Sequence, residues 1–67
     1  MTDYEKQIIL EDMLNRKGFL IAADQVAESA SLIEAREIAG DYLGFIFIDG
    51  LIEEIERLDK IATTRFE

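Results

Sequence analysis

The sequence contains no cysteine, histidine, proline or tryptophan. Without cysteine and histidine, the chain cannot form a disulfide scaffold, a zinc site built on thiolates or imidazoles, or a thiol nucleophile. Long apolar runs are also missing, because the longest one, residues 43–48, is far shorter than the ~20 residues that cross a bilayer. Residues 1–10 lack the basic and apolar pattern of a signal peptide. We therefore expect a cytoplasmic protein with no membrane contact.

The residues that are present make the chain both apolar and acidic. Hydrophobic residues form 49% of the 67 positions, which is too large a share for an intrinsically disordered chain. Fifteen acidic residues against seven basic ones give a net charge of −8. Residues 1–67 are long enough for one small domain. Since so short a chain buries only about 60% of its unfolded surface, we expect homodimerisation to complete the fold.

A helix-start signal opens the chain. Thr2 and Glu5 have the spacing of a capping box, in which each side chain bonds to a backbone N–H of the other residue. Apolar residues then recur at helical spacing, and Gly18 fits the position just after a helix. The pattern predicts a helix over residues 3–17.

The middle of the chain contains a second signal of the same kind. Ser31 is followed three residues later by a glutamate, and the apolar periodicity changes phase there. Residues 19–21 then form an apolar connector. The change of phase at Ser31 favours a short helix at 23–30 and a longer helix from 32 to the mid-forties. A single helix over 23–39 is the alternative.

The last third contains one further helix and one ambiguous segment. Asp49 is the predicted N-cap of a final helix over 50–63, with Lys60 and Arg65 towards its C-terminal end. Residues 42–48 fit either a helix or a short extended segment. The expected fold is thus an all-α domain of three or four helices. The core-facing stripe predicted for this part consists of Leu43, Phe47, Leu51, Ile55, Leu58 and Ala62.

Carboxylates are the only plentiful reactive groups, and they fall where solvated residues are expected. Pairs such as Glu34–Glu37 and Glu53–Glu56 share a helix face, but acidic side chains on such faces normally point to water. The four glycines match no phosphate-binding loop. We therefore expect no catalytic activity, no cofactor and no specific metal site.

Four bulky apolar residues do not fit the predicted core stripe. On a helical projection, Phe45, Ile48 and Ile52 point away from its centre, and Ile46 lies almost opposite. Leaving such a side chain in water forfeits roughly 1.5–3 kcal/mol relative to burying it. Phe45, Ile46, Ile48 and Ile52 are therefore the candidate dimer or partner interface.

The charge indicates the kind of partner. An acidic surface repels nucleic acid and anionic membranes, and it attracts basic protein surfaces. The sequence thus favours a small non-enzymatic interaction protein, of the inhibitor or adaptor type. Its partners would be a second copy of itself and another protein with a basic or apolar surface.

An alternative function is DNA binding. Residues 26–31 and the helix that follows resemble the core of a helix-turn-helix motif, which implies a transcriptional regulator. Ser31 stands at the turn position usually held by glycine, and Glu37 stands at an apolar position of the second helix. Arg36 is the only cation of that helix, and phosphate contact needs clustered lysine and arginine. Nucleic acid is therefore the less favoured partner.

Overall fold

The computed structural model describes residues 1–64 as four consecutive helices. These are α1 (Asp3–Arg16), α2 (Leu20–Glu28), α3 (Leu32–Leu43) and α4 (Phe45–Thr64). No β strand occurs within residues 1–64. The predicted all-α fold is thus confirmed. The expected position of Arg65 in the last helix lies outside the described residues.

Local capping interactions fix the helix ends that the sequence predicted. The Thr2 hydroxyl accepts the Glu5 N–H at 3.2 Å, and the Glu5 carboxylate accepts the Thr2 N–H at 3.1 Å. Gly18 follows α1 with φ 88°, a left-handed conformation that favours glycine. The Ser31 hydroxyl caps α3 by accepting the Glu34 N–H at 3.2 Å. Each interaction joins residues close in sequence, which is why spacing alone predicted it.

The middle of the chain forms two helices, as the favoured interpretation predicted, but α2 begins earlier than expected. Its first residue is Leu20 and not residue 23, so the predicted apolar connector supplies the first turn. The Phe19 carbonyl accepts the Ala23 N–H at 3.0 Å. Phe19 is thus the N-cap residue, and the helix starts two residues after Gly18.

α4 also begins earlier than predicted. Gly44 ends α3 with φ 91°, and its carbonyl accepts the Ile48 N–H at 3.2 Å as α4 begins. Residues 45–48 are therefore helical, which settles the segment that the sequence left open. Asp49 lies inside α4 and accepts hydrogen bonds from Arg36, so its prediction as an N-cap is wrong. The chain turns at Gly44, and α4 continues through Asp49 without interruption.

The helices pack around two central members. α1 and α3 each contact all three other helices. The domain measures 38 × 21 × 18 Å. Its long dimension is set by α4, whose 20 residues extend for about 30 Å.

The core combines large residues from α1 and α4 with small residues from α2 and α3. Its buried hydrophobic members are Leu10, Leu14, Ala22, Ala23, Val26, Ala35, Ala39, Ile48, Leu51 and Ile55. Alanine dominates the contribution of α2 and α3 and lets helices approach closely. The residues of one chain form this core. Homodimerisation, which the sequence predicted to complete the fold, stays a prediction.

The face of α4 that meets the core differs from the predicted stripe. Leu51 and Ile55 are buried, as expected, but Ile48 joins them in the core with 0% exposure. Phe47 and Leu58 were predicted to point inward and are exposed instead. The helix is therefore rotated relative to the sequence-based projection.

A contact between α3 and α4 agrees with this rotation. Arg36 on α3 binds Asp49 on α4 through two hydrogen bonds. Ile48 and Ile52 adjoin Asp49 on one side of the helix, so holding Asp49 beside α3 turns both of them towards the core. The Ala62 side chain, the last member of the predicted stripe, lies outside the part of the chain whose side chains are described.

Candidate interaction surface

Several large apolar side chains of α2 and α3 point away from the core. Leu20, Ile21 and Tyr42 are each more than half exposed. The inner faces of the same two helices are mostly alanine. Because a close contact over alanine leaves no space for larger side chains, these residues are displaced to the surface. The domain thus carries apolar surface that its own packing does not use.

A surface groove of about 410 Å³ lies between the start of α2 and the end of α3. It is lined by Gly18, Phe19, Leu20, Ile21, Ala22, Tyr42 and Leu43. The Tyr42 hydroxyl is the only polar side-chain group among these lining residues. A molecule in this groove would therefore make mainly apolar contacts.

An aromatic contact extends the groove to α4. The rings of Phe19 and Phe47 meet edge to face, with centroids 5.8 Å apart and planes at 77°. Ile46 precedes Phe47 in the first turn of α4 and is 93% exposed. We refer to the groove-lining residues together with Ile46 and Phe47 as the apolar surface.

The four interface residues predicted from the sequence do not share one surface. Ile46 and Phe45 are both exposed. Ile48 is enclosed in the core, which corrects its assignment to an exposed face. Ile52 is half-buried and packs against the same core. Only Phe45 and Ile46 are thus accessible enough for the predicted role, which stays a prediction.

Phe45 also has a structural position at the α3–α4 junction. The Arg36 guanidinium lies 5.2 Å from the centroid of the Phe45 ring, and a Cβ placed on Gly40 would overlap that ring. Arg36 Nε and Nη2 donate to the two carboxylate oxygens of Asp49 at 2.5 and 3.0 Å. The hydrogen bond from Arg36 lowers the pKa of Asp49. The contacts between α3 and α4 are thus made in part by Arg36, Phe45 and Asp49.

The two helices that border the groove carry unneutralised negative charge. Asp24 and Glu28 are exposed on α2, and Glu37 and Asp41 are exposed on α3. Each pair is four residues apart and so occupies one face of its helix. Arg36 is the only basic residue between positions 20 and 43, and Asp49 binds it.

The same charges bear on the helix-turn-helix resemblance. α2 and α3 are joined by residues 29–31, a connection as short as the motif requires. The exposed charged residues of α3 are Glu34, Glu37 and Asp41. The helix that would enter the major groove thus presents carboxylates to the DNA phosphates.

A second depression, of about 210 Å³, lies at the opposite end of α3, beside the start of α1. Tyr4 and Ile33 are exposed at its edge. Gln7, the only buried polar side chain among the described residues, also lines it. Its Nε2 donates to the carbonyls of Val26 and Ser29 at 2.7 and 2.9 Å. Gln7 therefore anchors the end of α2 to α1.

Sequence reasoning missed the residues of α2 and α3 that form the groove. Leu20 and Ile21 were expected in a connector, and Tyr42 was expected at the start of the segment that fitted either a helix or an extended strand. The signal that could have found them is the run of alanines on the opposite faces of α2 and α3. A helix with a complete small-residue face can pack through it and leave its large residues outside.

Comparison with known protein families, curated proteins and solved structures finds no match for this chain. None of the helices within residues 1–64 combines the length and apolar character of a membrane span. Within the same residues, no three or more acidic side chains are grouped as metal ligands. The candidate function therefore rests on the apolar surface and the charges beside it.

Proposed function

We propose that this protein is a small acidic, non-enzymatic regulator that binds another protein through the apolar surface. The observation that carries the proposal is the inverted arrangement of α2 and α3, with alanines inside and Leu20, Ile21 and Tyr42 outside. These side chains are 54–66% exposed, so covering one of them contributes part of the roughly 1.5–3 kcal/mol that separates a fully exposed from a fully buried apolar side chain. A partner that supplies this cover would bind through contacts that folding has left unused.

The pKa shifts of two carboxyl groups, those of Glu5 and Asp49, agree with a non-enzymatic role. A general acid at neutral pH needs a raised pKa. The pKa of Glu5 is lowered by the hydrogen bond from the Thr2 backbone, and that of Asp49 is lowered by the hydrogen bond from Arg36. Both shifts run opposite to what such an acid requires.

DNA binding is the less supported alternative. It depends on α3 as the recognition helix, and Arg36, the only cation there, is held by Asp49. Phosphate contacts supply most non-specific affinity for DNA. A regulator of the inhibitor or adaptor type fits an acidic surface better.

Self-association is a second part of the proposal. Two copies related by a two-fold axis would cover each other's apolar surface when the partner is absent. The dimer would then protect the apolar surface without being needed to complete the core. It follows that the homodimer and the complex with the partner exclude each other.

Three isoleucines provide a matched test. Ile21, Ile46 and Ile33 are each the second residue of a helix, in α2, α4 and α3 respectively, and each is at least 66% exposed. Ile21 and Ile46 belong to the apolar surface, whereas Ile33 lies at the opposite end of α3. An aspartate in the first turn of a helix interacts favourably with the helix dipole, so all three Ile→Asp variants should fold.

The variants would be compared by native mass from light scattering over a range of concentrations, and by capture from a lysate of the source organism. We expect Ile21→Asp and Ile46→Asp to lose both self-association and the captured partner, while Ile33→Asp keeps them. The proposal is to be abandoned if all three variants behave like the wild type, or if Ile33→Asp loses the partner as well.

A further inference from the structure

We propose that the partner segment bound by the apolar surface is a cationic amphipathic helix. Its apolar side chains would occupy the groove, and its lysines or arginines would lie along the carboxylates of α2 and α3. This inference rests on the proposed function, because it names the chemistry of the partner that the same surface binds.

The groove itself favours a helix as its occupant. Its lining offers one side-chain hydroxyl, that of Tyr42, and otherwise apolar side chains. A helix satisfies its own backbone hydrogen bonds and so fits such a lining better than an extended peptide, which would turn part of its backbone towards apolar side chains. The described part of the chain also has no sheet edge to which an extended strand could add. Helices that bind in grooves place apolar anchors about one turn apart, and a groove of about 410 Å³ has room for more than one anchor.

The charges beside the groove favour a cationic occupant. Asp24 lies one helical turn beyond Leu20 and Ile21 on α2, and Asp41 directly precedes Tyr42 on α3. Glu28 and Glu37 continue the two acidic rows away from the groove. Opposite charges at the rim of an apolar contact raise the association rate and fix the orientation of the partner.

The basic residues near the groove do not neutralise the carboxylates of α2 and α3. Lys17 and Arg16 come just before the groove-lining Gly18, and Arg16 is paired with Asp12 at 2.9 Å. Lys17 directly precedes Gly18, at the α1 end of the groove, whereas the acidic residues belong to α2 and α3. The cationic residues of the partner are therefore expected over α2 and α3, and not at the α1 end.

A second copy of the chain is the weaker occupant. Each copy carries a net charge of −8, so pairing two copies brings like charges together. Salt screens that repulsion and would strengthen a homodimer, whereas it would weaken the complex with a cationic helix. The sign of the salt dependence thus distinguishes the two occupants.

The test uses the full chain and three synthetic peptides of equal length. The first has leucine at helical spacing and lysine elsewhere, the second replaces every lysine by glutamate, and the third is the first with its order scrambled. Binding would be measured by isothermal titration calorimetry at low and at physiological salt. We expect the amphipathic lysine peptide to bind at least about tenfold more tightly than either of the others, and more weakly as salt rises.

Variants of this chain test separately whether the apolar groove and the carboxylates of α2 and α3 contribute to binding. Ile21→Asp should abolish binding of the lysine peptide, and Ile33→Asp should leave it unchanged. The double variant Glu37→Gln, Asp41→Asn should weaken binding and reduce its salt dependence, with helicity by circular dichroism unchanged.

The alternative outcomes separate this inference from the proposed function. Equal binding of the lysine and glutamate peptides, with loss on Ile21→Asp, would overturn the cationic partner and keep the apolar surface as a binding site. Equal binding of the scrambled peptide would show unspecific attraction and overturn the inference. If no peptide binds and salt strengthens a homodimer that Ile21→Asp abolishes, the occupant is a second copy of this chain.

Discussion

The rotation of α4 can be tested with two neighbouring isoleucines that the sequence placed on the same surface. Ile48 is 0% exposed and Ile46 is 93% exposed. Replacing Ile48 by alanine removes three carbon groups from the core, a transfer loss of about 2.4 kcal/mol at about 0.8 kcal/mol each. The cavity left behind adds to this, so the total cost is about 2–5 kcal/mol.

That loss is large for so small a domain. At about 0.05–0.15 kcal/mol per residue, 67 residues give a free energy of unfolding of about 3–10 kcal/mol. Ile48→Ala should therefore remove a large part of the stability. Ile46→Ala should change it by less than about 0.5 kcal/mol, because the side chain contacts little and alanine has the higher helix propensity.

Urea unfolding followed by circular dichroism measures both variants on the same scale. We expect the unfolding midpoint to fall markedly for Ile48→Ala and to stay close to the wild-type value for Ile46→Ala, with the denaturant slope unchanged in both. Equal losses, or the larger loss for Ile46→Ala, would refute the rotated position of α4.

Three further predictions concern the contacts that hold the helices together. Gln7→Glu places a carboxylate against two backbone carbonyls and should cost more than about 3 kcal/mol at neutral pH. Burial raises the pKa of that new carboxyl group, so denaturation experiments should show the stability returning as the pH falls. Gly40→Ala should destabilise by about 1–2 kcal/mol, since overlap with the Phe45 ring outweighs the better helix propensity of alanine, and thermal unfolding would detect it. The lowered pKa of Asp49 contributes stability above its ordinary value of 3.8 that is lost on acidification through the folded-state pKa. Asp49→Asn should therefore lose less stability than the wild type when unfolding is followed into that acidic range.

The sequence predicts those parts of this fold that local interactions determine. The capping box at Thr2, the cap at Ser31 and the left-handed Gly18 each involve residues within a few positions of one another. Their geometry follows from residue types at fixed spacing, so the limits of α1 and the start of α3 could be placed without the structure.

The orientation of α4 depends on a contact that spacing does not reveal. Arg36 and Asp49 are 13 residues apart, so their pairing has no local signal in the sequence. The Asp49–Gly50 pair, in contrast, has the local pattern of a helix N-cap. Because a helix repeats every 3.6 residues, a rotation of one position exchanges Phe47 for Ile48 in the core without spoiling the apolar pattern. The prediction of Ile48 as an interface residue failed for this reason.

The candidate site was missed for a related reason, and the cause bears on function. α2 and α3 each have one face of small residues and another face that carries large apolar residues. Hydropathy alone favours burying the face with the large residues. Close packing selects the alanines instead, because Ala35 and Ala39 let α3 sit between its neighbours where leucine would force them apart. Ile21 and Tyr42 are then outside, and the fold keeps its core without them. The free energy available from covering them is therefore separate from the free energy of folding, which is the property that a reversible binding surface needs.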